Sequence, residues 1–440
     1  MIKYLFMLVI SSVVCEDASR PNFLIILTDD QDSTLGGMNP MKNVQRFIGD
    51  KGVTFKNAYV TSPICCPSRA SFLTGMYVHN HLTVNNSISG GCYGRIWKNI
   101  ESRTFATTLY DAGYKTFYAG KYLNEYGVKA AGGPEQIPPG WSEWHGLVGN
   151  SVYYNYTISN NGVPTHSTDL YLTDIIRDLS ISYIENQTGS EPFMMVLAPP
   201  APHQPFTPAP RHKGVFANVT AHRAPNFNIA TKDRHWLLSM PPSPLPDNML
   251  SELDRVYRSR WEALLSVDEL VSDVIEALDT NSLLEHTYVI YTSDNGYHMG
   301  MDNINTIILL VTKGLNLNLY LFQYITLNKS ESGSESNKKC YYFQQCYPEY
   351  ACKCQDARNN TFGCLRHIAK RINMKYCLFA DNQSFTEMYD LFTDPYELTN
   401  IAQRVLPSVR HWYKLTLARM LACRGSENCD NPLETPSIVF

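Results

Sequence analysis

Four short strand-like runs, each breaking off into polar or charged residues, set what this chain can fold into. Phe23–Leu27 is continuously apolar, the pattern of a strand covered on both faces in a parallel sheet. Tyr114–Ala119, Phe193–Ala198 and Tyr288–Tyr291 read as further strands. Between them the spacing of apolar residues predicts helices over about Thr104–Ala112, Leu170–Glu185 and Leu250–Leu278. Strands alternating with helices make an α/β protein, and such sheets bind ligands beyond the carboxyl ends of their strands. The residues expected there are Asp29 and Asp30, Lys121, His203, and Asp294 with Asn295. His203 falls in Pro199–Pro205, too rich in proline to prolong a strand, so a stiff loop should carry it.

A length of 440 residues exceeds what one core usually serves, so one large domain and a smaller one are expected. The net charge of −4 gives no reason to expect nucleic acid or an anionic membrane as a partner. Residues 1–15 carry Lys3, an apolar stretch from Tyr4 to Val14 and then a switch to Glu16 and Asp17. That reads as a secretory signal peptide, too short for a membrane span. Sequons begin at Asn85, Asn155, Asn186, Asn218, Asn328, Asn359 and Asn382, which fits a glycosylated luminal protein.

Donor types at the rim indicate its chemistry. Asp29, Asp30, Asp294 and Asn295 offer oxygen alone, which suits a hard dication such as Ca2+ or Mg2+ and argues against Zn2+. The alternative for the stretch after Leu27 is a solvated, Asp-rich turn. Between the first two strands lies Ser62–Gly75, which holds the pattern C-x-P-S-R from Cys65 to Arg69. Pro67 and Ser68 suit the first turn of a helix, beside which Cys65 and Cys66 also read as ordinary disulfide partners. A dication ringed by Arg69, Lys121 and His203 makes a positive pocket suited to a tetrahedral anion.

The C-x-P-S-R pattern resembles the signature of the sulfatase family. Leu27–Asp32, His79–His81, Ala119–Tyr126, Ala201–His203 and Tyr291–His298 carry the same likeness. From Asn22 to about Gly300 the chain is similar to the lysosomal N-acetylglucosamine-6-sulfatases, and nearly as similar to the extracellular heparan sulfate endosulfatases. The resemblance implies an alkaline-phosphatase-like α/β fold, with a mixed central sheet flanked by helices. It implies Ca2+ held by Asp29, Asp30, Cys65, Asp294 and Asn295, and Cys65 converted to formylglycine by the formylglycine-generating enzyme. The implied reaction is hydrolysis of 6-O-sulfate esters of N-acetylglucosamine or glucosamine in heparan or keratan sulfate. The hydrated aldehyde attacks sulfur, His203 or Lys121 protonates the leaving alcohol, and the second hydroxyl then expels sulfate. A long basic insertion of the endosulfatase kind is missing, which favours the lysosome over the extracellular space.

The likeness resumes from Cys346 to Cys429, including Asn359–Arg366 and Asp390–Asn400. It makes residues 340–440, with Cys340, Cys346, Cys352, Cys354, Cys364, Cys377, Cys423 and Cys429, a small disulfide-stapled subdomain behind a catalytic domain of 16–300. Of the twelve cysteines, Cys15 would leave with the signal and Cys65 would be the precursor, so an even ten remain. Their pairing does not follow from sequence; Cys66 with Cys92 is the economical choice for the two outside the subdomain.

Residues 301–339 depart from the family, which continues there with further strands and helices and another active-site lysine. Here an apolar run from Ile307 to Ile325, interrupted by Lys313, Asn316 and Asn318, leads into a Ser/Glu/Asn-rich tail. Lys313 does not inherit the family role, because its surroundings do not match. A membrane span would cost ~2.5–3.5 kcal/mol for that lysine alone. The other readings are a divergent strand pair, or a splice variant or faulty gene model in which tens of residues were replaced. The same departure raises a second class of function, a catalytically impaired relative that binds sulfated glycans without cleaving them. A phosphatase or phosphodiesterase ranks lower, since a His-rich two-metal set is not found in the sequence.

Overall fold

The computed structural model describes residues 20–189, 191–229, 233–236, 244–297, 361–381, 383–425 and 429, and the backbone alone of 309–311 and 319–324. Its strands are β1 (Asn22–Thr28), β2 (Val53–Phe55), β3 (Lys115–Lys121), β4 (Glu143–Leu147), β5 (Tyr156–Asn160), β6 (Val163–Ser167) and β7 (Phe193–Ala198). β8 (Thr287–Ser293), β9 (Leu309–Val311), β10 (Leu319–Tyr324), β11 (Phe362–Ala369), β12 (Ile372–Phe379) and β13 (Thr386–Asp390) follow. The main helices are α1 (Cys65–Thr74), α2 (Phe105–Asp111), α3 (Leu172–Glu185), α4 (Asp247–Thr280) and α5 (Pro407–Ala422).

A nine-stranded sheet runs in the order β2-β9-β8-β1-β7-β3-β4-β5-β6. β8, β1, β7, β3 and β4 are parallel neighbours, while β2, β9, β5 and β6 complete the edges in antiparallel pairs. The unbroken apolar runs have a direct cause: both faces of the central strands are covered. Leu24, Ile26, Met195 and Leu197 pack under α3 and α4, while Met194, Val196 and Tyr118 pack under α1 and a cluster of aromatic side chains that includes Trp97 and Trp144. β3 runs two residues past the expected Ala119, so Lys121 is its last residue. Gly120 permits this: its φ is +111°, and a Cβ there would lie 2.1 Å from the carbonyl oxygen of Ala198.

α4 is 34 residues long and buries Val256, Leu264, Val271 and Leu278, yet also Arg260, Glu262 and Asp268. Asp268 accepts the backbone N–H groups of Asn43 and Val44, each at 2.9 Å, and so binds α4 to the start of a short helix. Among the described residues, no helix is long and apolar enough to cross a membrane.

A second, antiparallel sheet is ordered β10-β11-β12-β13. One face packs Leu365, Met374, Tyr376 and Met388 against Tyr413 and Leu417 of α5. The other carries the disulfide Cys364–Cys377, bonded between directly paired positions, next to Phe379. A further disulfide joins Cys423 to Cys429. The strands within 301–339 do not pair with each other as a strand pair would: β9 enters the main sheet between β8 and β2, and β10 enters the second beside β11. Lys313, the remaining residues of 301–339, the N-terminal residues 1–15 and the cysteines at 340, 346, 352 and 354 lie outside the described residues.

Candidate active site

Five segments meet at the carboxyl end of the main sheet. β1 delivers Asp29 and Asp30, α1 delivers Cys65 and Arg69 one turn apart, β3 delivers Lys121, the turn after β7 delivers His203, and β8 delivers Asp294 and Asn295. All eight are buried. The carboxylates of Asp29, Asp30 and Asp294 each place an oxygen within 4.8 Å of the others, and Asp29, Cys65 and His203 form a second such group. Two oxygens on one Ca2+, each at about 2.3–2.6 Å, stand at most about 5 Å apart, so the spacing fits one ion. Asn295 adds a buried Oδ1 with no hydrogen-bond partner, while its Nδ2 donates to Asp30 Oδ1 at 2.6 Å. An oxygen-only acidic cluster with an unsatisfied amide oxygen fits a hard cation.

Cys65 is a free thiol whose Sγ lies 3.7 Å from Asp29 Oδ1 and 3.9 Å from Asp30 Oδ1. Its neighbour Cys66 is bonded to Cys92. The expectation that both are ordinary disulfide cysteines therefore fails for position 65, whose side chain points at the carboxylates. Cations interleave with the acids: Lys121 Nζ is 2.7 Å from Asp29 Oδ2, and Arg69 Nε donates to Asp294 Oδ2 at 2.8 Å. Arg69 Nη1 donates to the Lys121 carbonyl at 2.6 Å, which ties α1 to the end of β3. Arg69 Nη2 has no hydrogen-bond partner and lies 3.8 Å from Asp29 Oδ1. His203 Nε2 is 3.9 Å from Asp30 Oδ2, and its Nδ1 meets the Gln204 carbonyl at 2.5 Å.

A model of the sulfatase family matches residues 21–336, well over half the chain. The chain belongs to the sulfatase family. The sulfatase is 38% identical to the N-acetylglucosamine-6-sulfatase of Capra hircus, over 96% of this chain and 87% of the goat protein. It is 41% identical to the extracellular sulfatase SULF-1 homolog of Drosophila melanogaster, but over 64% of this chain and 25% of that one. A solved structure described as a complex with its substrate D-glucosamine-2-N,6-O-disulfate superposes with a TM-score of 0.69 at 18% identity, covering 92% of this chain and 97% of the other. That agreement confirms the alkaline-phosphatase-like fold. The goat match extends over 488 residues against a chain of 440, so at least 48 positions of the comparison have no counterpart here.

The electrostatics of the sulfatase pocket follow from its dryness. Burial pushes the Asp29 carboxyl up, but Lys121, His203 and Arg69 outweigh it and hold it below the usual carboxylate range. For Asp294, burial and then the charge on Asp29 win over Arg69 and Lys121, and its carboxyl is pushed up to about 7. Burial, with Asp29, Asp30 and Asp294 nearby, raises the Cys65 thiol well above its ordinary value against the pull of Lys121. A thiol so disposed is a poor nucleophile as it stands.

Two contributors, Ser151 and Tyr118, carried no site signal in the sequence, and the contact made by Ser68 of the C-x-P-S-R pattern was not foreseen. Ser151, beyond β4, donates its hydroxyl to Asp29 Oδ2, and Ser68 donates to the Asp294 carbonyl. Tyr118 OH donates to the Lys121 carbonyl at 2.5 Å. Nothing about a serine four residues past a glycine-containing strand marks it as a partner of an aspartate 122 positions away.

Proposed function

We propose that this sulfatase removes 6-O-sulfate from N-acetylglucosamine or glucosamine units of heparan or keratan sulfate, through a formylglycine made from Cys65 and a Ca2+ ion. The observation that carries the reading is the free Cys65 thiol, buried within 3.9 Å of two carboxylates in a pocket where it cannot act well as a thiolate. Kinship with N-acetylglucosamine-6-sulfatases over nearly the whole chain supports the choice of sugar. Hydrated, the aldehyde supplies two hydroxyls on one carbon, one to attack sulfur and one to expel sulfate. Ca2+ on Asp29, Asp30, Asp294, Asn295 and position 65 would offset the clustered negative charge and polarise a sulfate oxygen.

The chain's own residues do the remainder. Arg69, with its open Nη2, and Lys121 face the sulfate and stabilise charge that grows on its oxygens. His203, anchored at Nδ1 by the Gln204 carbonyl, presents Nε2 to the leaving alcohol and gives it a proton. Exposed sequons at Asn155, Asn186 and Asn218 support passage through the secretory pathway, with the lysosome as destination.

Sulfate release from N-acetylglucosamine-6-sulfate tests the reading, together with mass spectrometry of the Cys65 peptide for loss of sulfur and gain of an aldehyde. Release from internal units of heparan sulfate but not from the monosaccharide would instead make it an endosulfatase. The missing counterpart of at least 48 positions favours one further reading, a relative that binds sulfated glycans without cleaving them. Glycan binding without sulfate release would establish that alternative.

A further inference from the structure

Arg260 lies in the middle of α4, only 2% exposed, among Val256, Tyr257, Ala263 and Leu264 on the face turned to the protein interior. Its guanidinium reaches three of the loops that build the candidate site. Nη2 donates to the Asp30 carbonyl at 2.8 Å and to Asp32 Oδ2 at 2.8 Å. Nη1 donates to the Pro202 carbonyl at 3.3 Å, one residue before His203. The guanidinium carbon lies 3.9 Å from the centre of the Tyr297 ring, two residues beyond Asn295.

None of these contacts involves an oxygen facing the acidic cluster; each fixes the backbone or the flank of a residue that does. Asp30 needs it most. Its φ is +65°, the left-handed region that favours glycine and that other residues adopt seldom, as single positions. Held this way, Asp30 turns its carboxylate toward Asp294 and Asn295, and its N–H donates to Asp294 Oδ1 at 2.9 Å. Asp32 is itself fixed, accepting the Leu35 N–H at 2.7 Å and the Gly37 N–H at 3.3 Å. Stability alone gives little reason to bury such a pair, since apolar replacements of buried ion pairs are often neutral or stabilising. Geometry gives a reason: a planar fork satisfies several carbonyl and carboxylate oxygens at fixed angles.

We propose that Arg260 is a positioning residue of the cation site, setting Asp30 directly and steadying the loops of His203 and Asn295 through Pro202 and Tyr297. Cation affinity then depends on a side chain that never touches the cation. The inference rests on the reading of Asp29, Asp30, Asp294 and Asn295 as cation ligands.

The test is calorimetric titration of Ca2+ into chelator-stripped, full-length wild type and the variants R260K, R260Q, D32N and Y297L, with melting temperatures measured both in chelator and in saturating Ca2+. Lysine keeps the charge but loses the fork, so R260K should bind Ca2+ about 10–100-fold more weakly, as when other supports behind metal ligands are removed. D32N, which frees one arm of the fork while leaving Arg260 in place, should move affinity the same way by less. A merely structural arginine would lower melting temperature equally with and without Ca2+ and leave affinity alone. Affinities within twofold of wild type in the folded variants overturn the proposal, as does failure of all four to fold, which would make Arg260 a stability residue. Absence of Ca2+ binding by the wild type sinks the ligand assignment itself, a result distinct from either.

Discussion

In the C-terminal sheet, Cys364 and Cys377 are bonded across adjacent strands at a separation of 13 residues; at the rim, Asp30 meets Asn295 across 265. The sheet is built from neighbours in sequence, with β11, β12 and β13 paired in order and covered by α5. The rim is built from residues that meet only when the large sheet is complete, and most of its contacts join charged or polar atoms out of water. Local pairing tolerates isolation, whereas interlocked buried charges depend on every partner being present. The molecule thus keeps its chemistry where assembly is most demanding, while the C-terminal sheet holds its own partly buried ion pair, Lys375 with Glu397 at 2.7 Å, across only 22 residues.

Loss of the sulfur at position 65 should separate the two regions most sharply. C65A is expected to lower sulfate release from N-acetylglucosamine-6-sulfate by about a thousandfold or more while its denaturant midpoint stays near wild type. Activity within tenfold of wild type would remove Cys65 from the reaction. Next in size, D29A strips Lys121 and Arg69 of a buried counter-charge and should cost about 3–5 kcal/mol in denaturant unfolding. A cost under about 1 kcal/mol would mean that water enters the rim and relieves those charges.

The double variant C364A/C377A should lose about 3 kcal/mol, the loop-closure value for a disulfide of this span, and leave Ca2+ affinity unchanged. If affinity falls with it, the two regions are coupled and the contrast drawn above is wrong. The smallest effect concerns pH. The Asp294 carboxyl, pushed up to about 7 by burial and by Asp29, stabilises the cation-free protein below its unfolded value of 3.8 and loses that contribution as pH rises through 7. Asp29, shifted the other way, keeps its contribution across that window. Ca2+ binds the deprotonated form, so the Ca2+-induced rise in melting temperature should be about 2–4 °C larger at pH 7.5 than at pH 5. An equal rise at both values would exclude Asp294 as a ligand that must shed a proton.

Legibility followed the same division between residue pattern and assembly. Asp29, Lys121, His203 and Asp294 stood out because each ends an apolar run, and strand ends of a parallel sheet face one side. Cys66 with Cys92 was readable as the pair left over, and the bond is there. Arg260, Ser151 and Tyr118 were not legible, since Arg260 interrupts an apolar helical face as a surface arginine would, and the other two sit in sequence with nothing local to distinguish them. Their partners lie in other segments, and no local periodicity encodes a contact of that range. The extra two residues of β3 depend on Gly120 passing close to Ala198, a tertiary approach invisible to strand propensity.

Cys65 is 1% exposed, on a helix pinned by the Cys66–Cys92 bond and by the Cys66 N–H donating to Asn86 at 2.8 Å. No second protein can take hold of a side chain so enclosed. An enzyme that converts this thiol would therefore have to reach it before the fold closes, ahead of or alongside formation of the neighbouring Cys66–Cys92 bond. On the reading proposed above, the share of competent molecules would be set before the chain closes over this side chain.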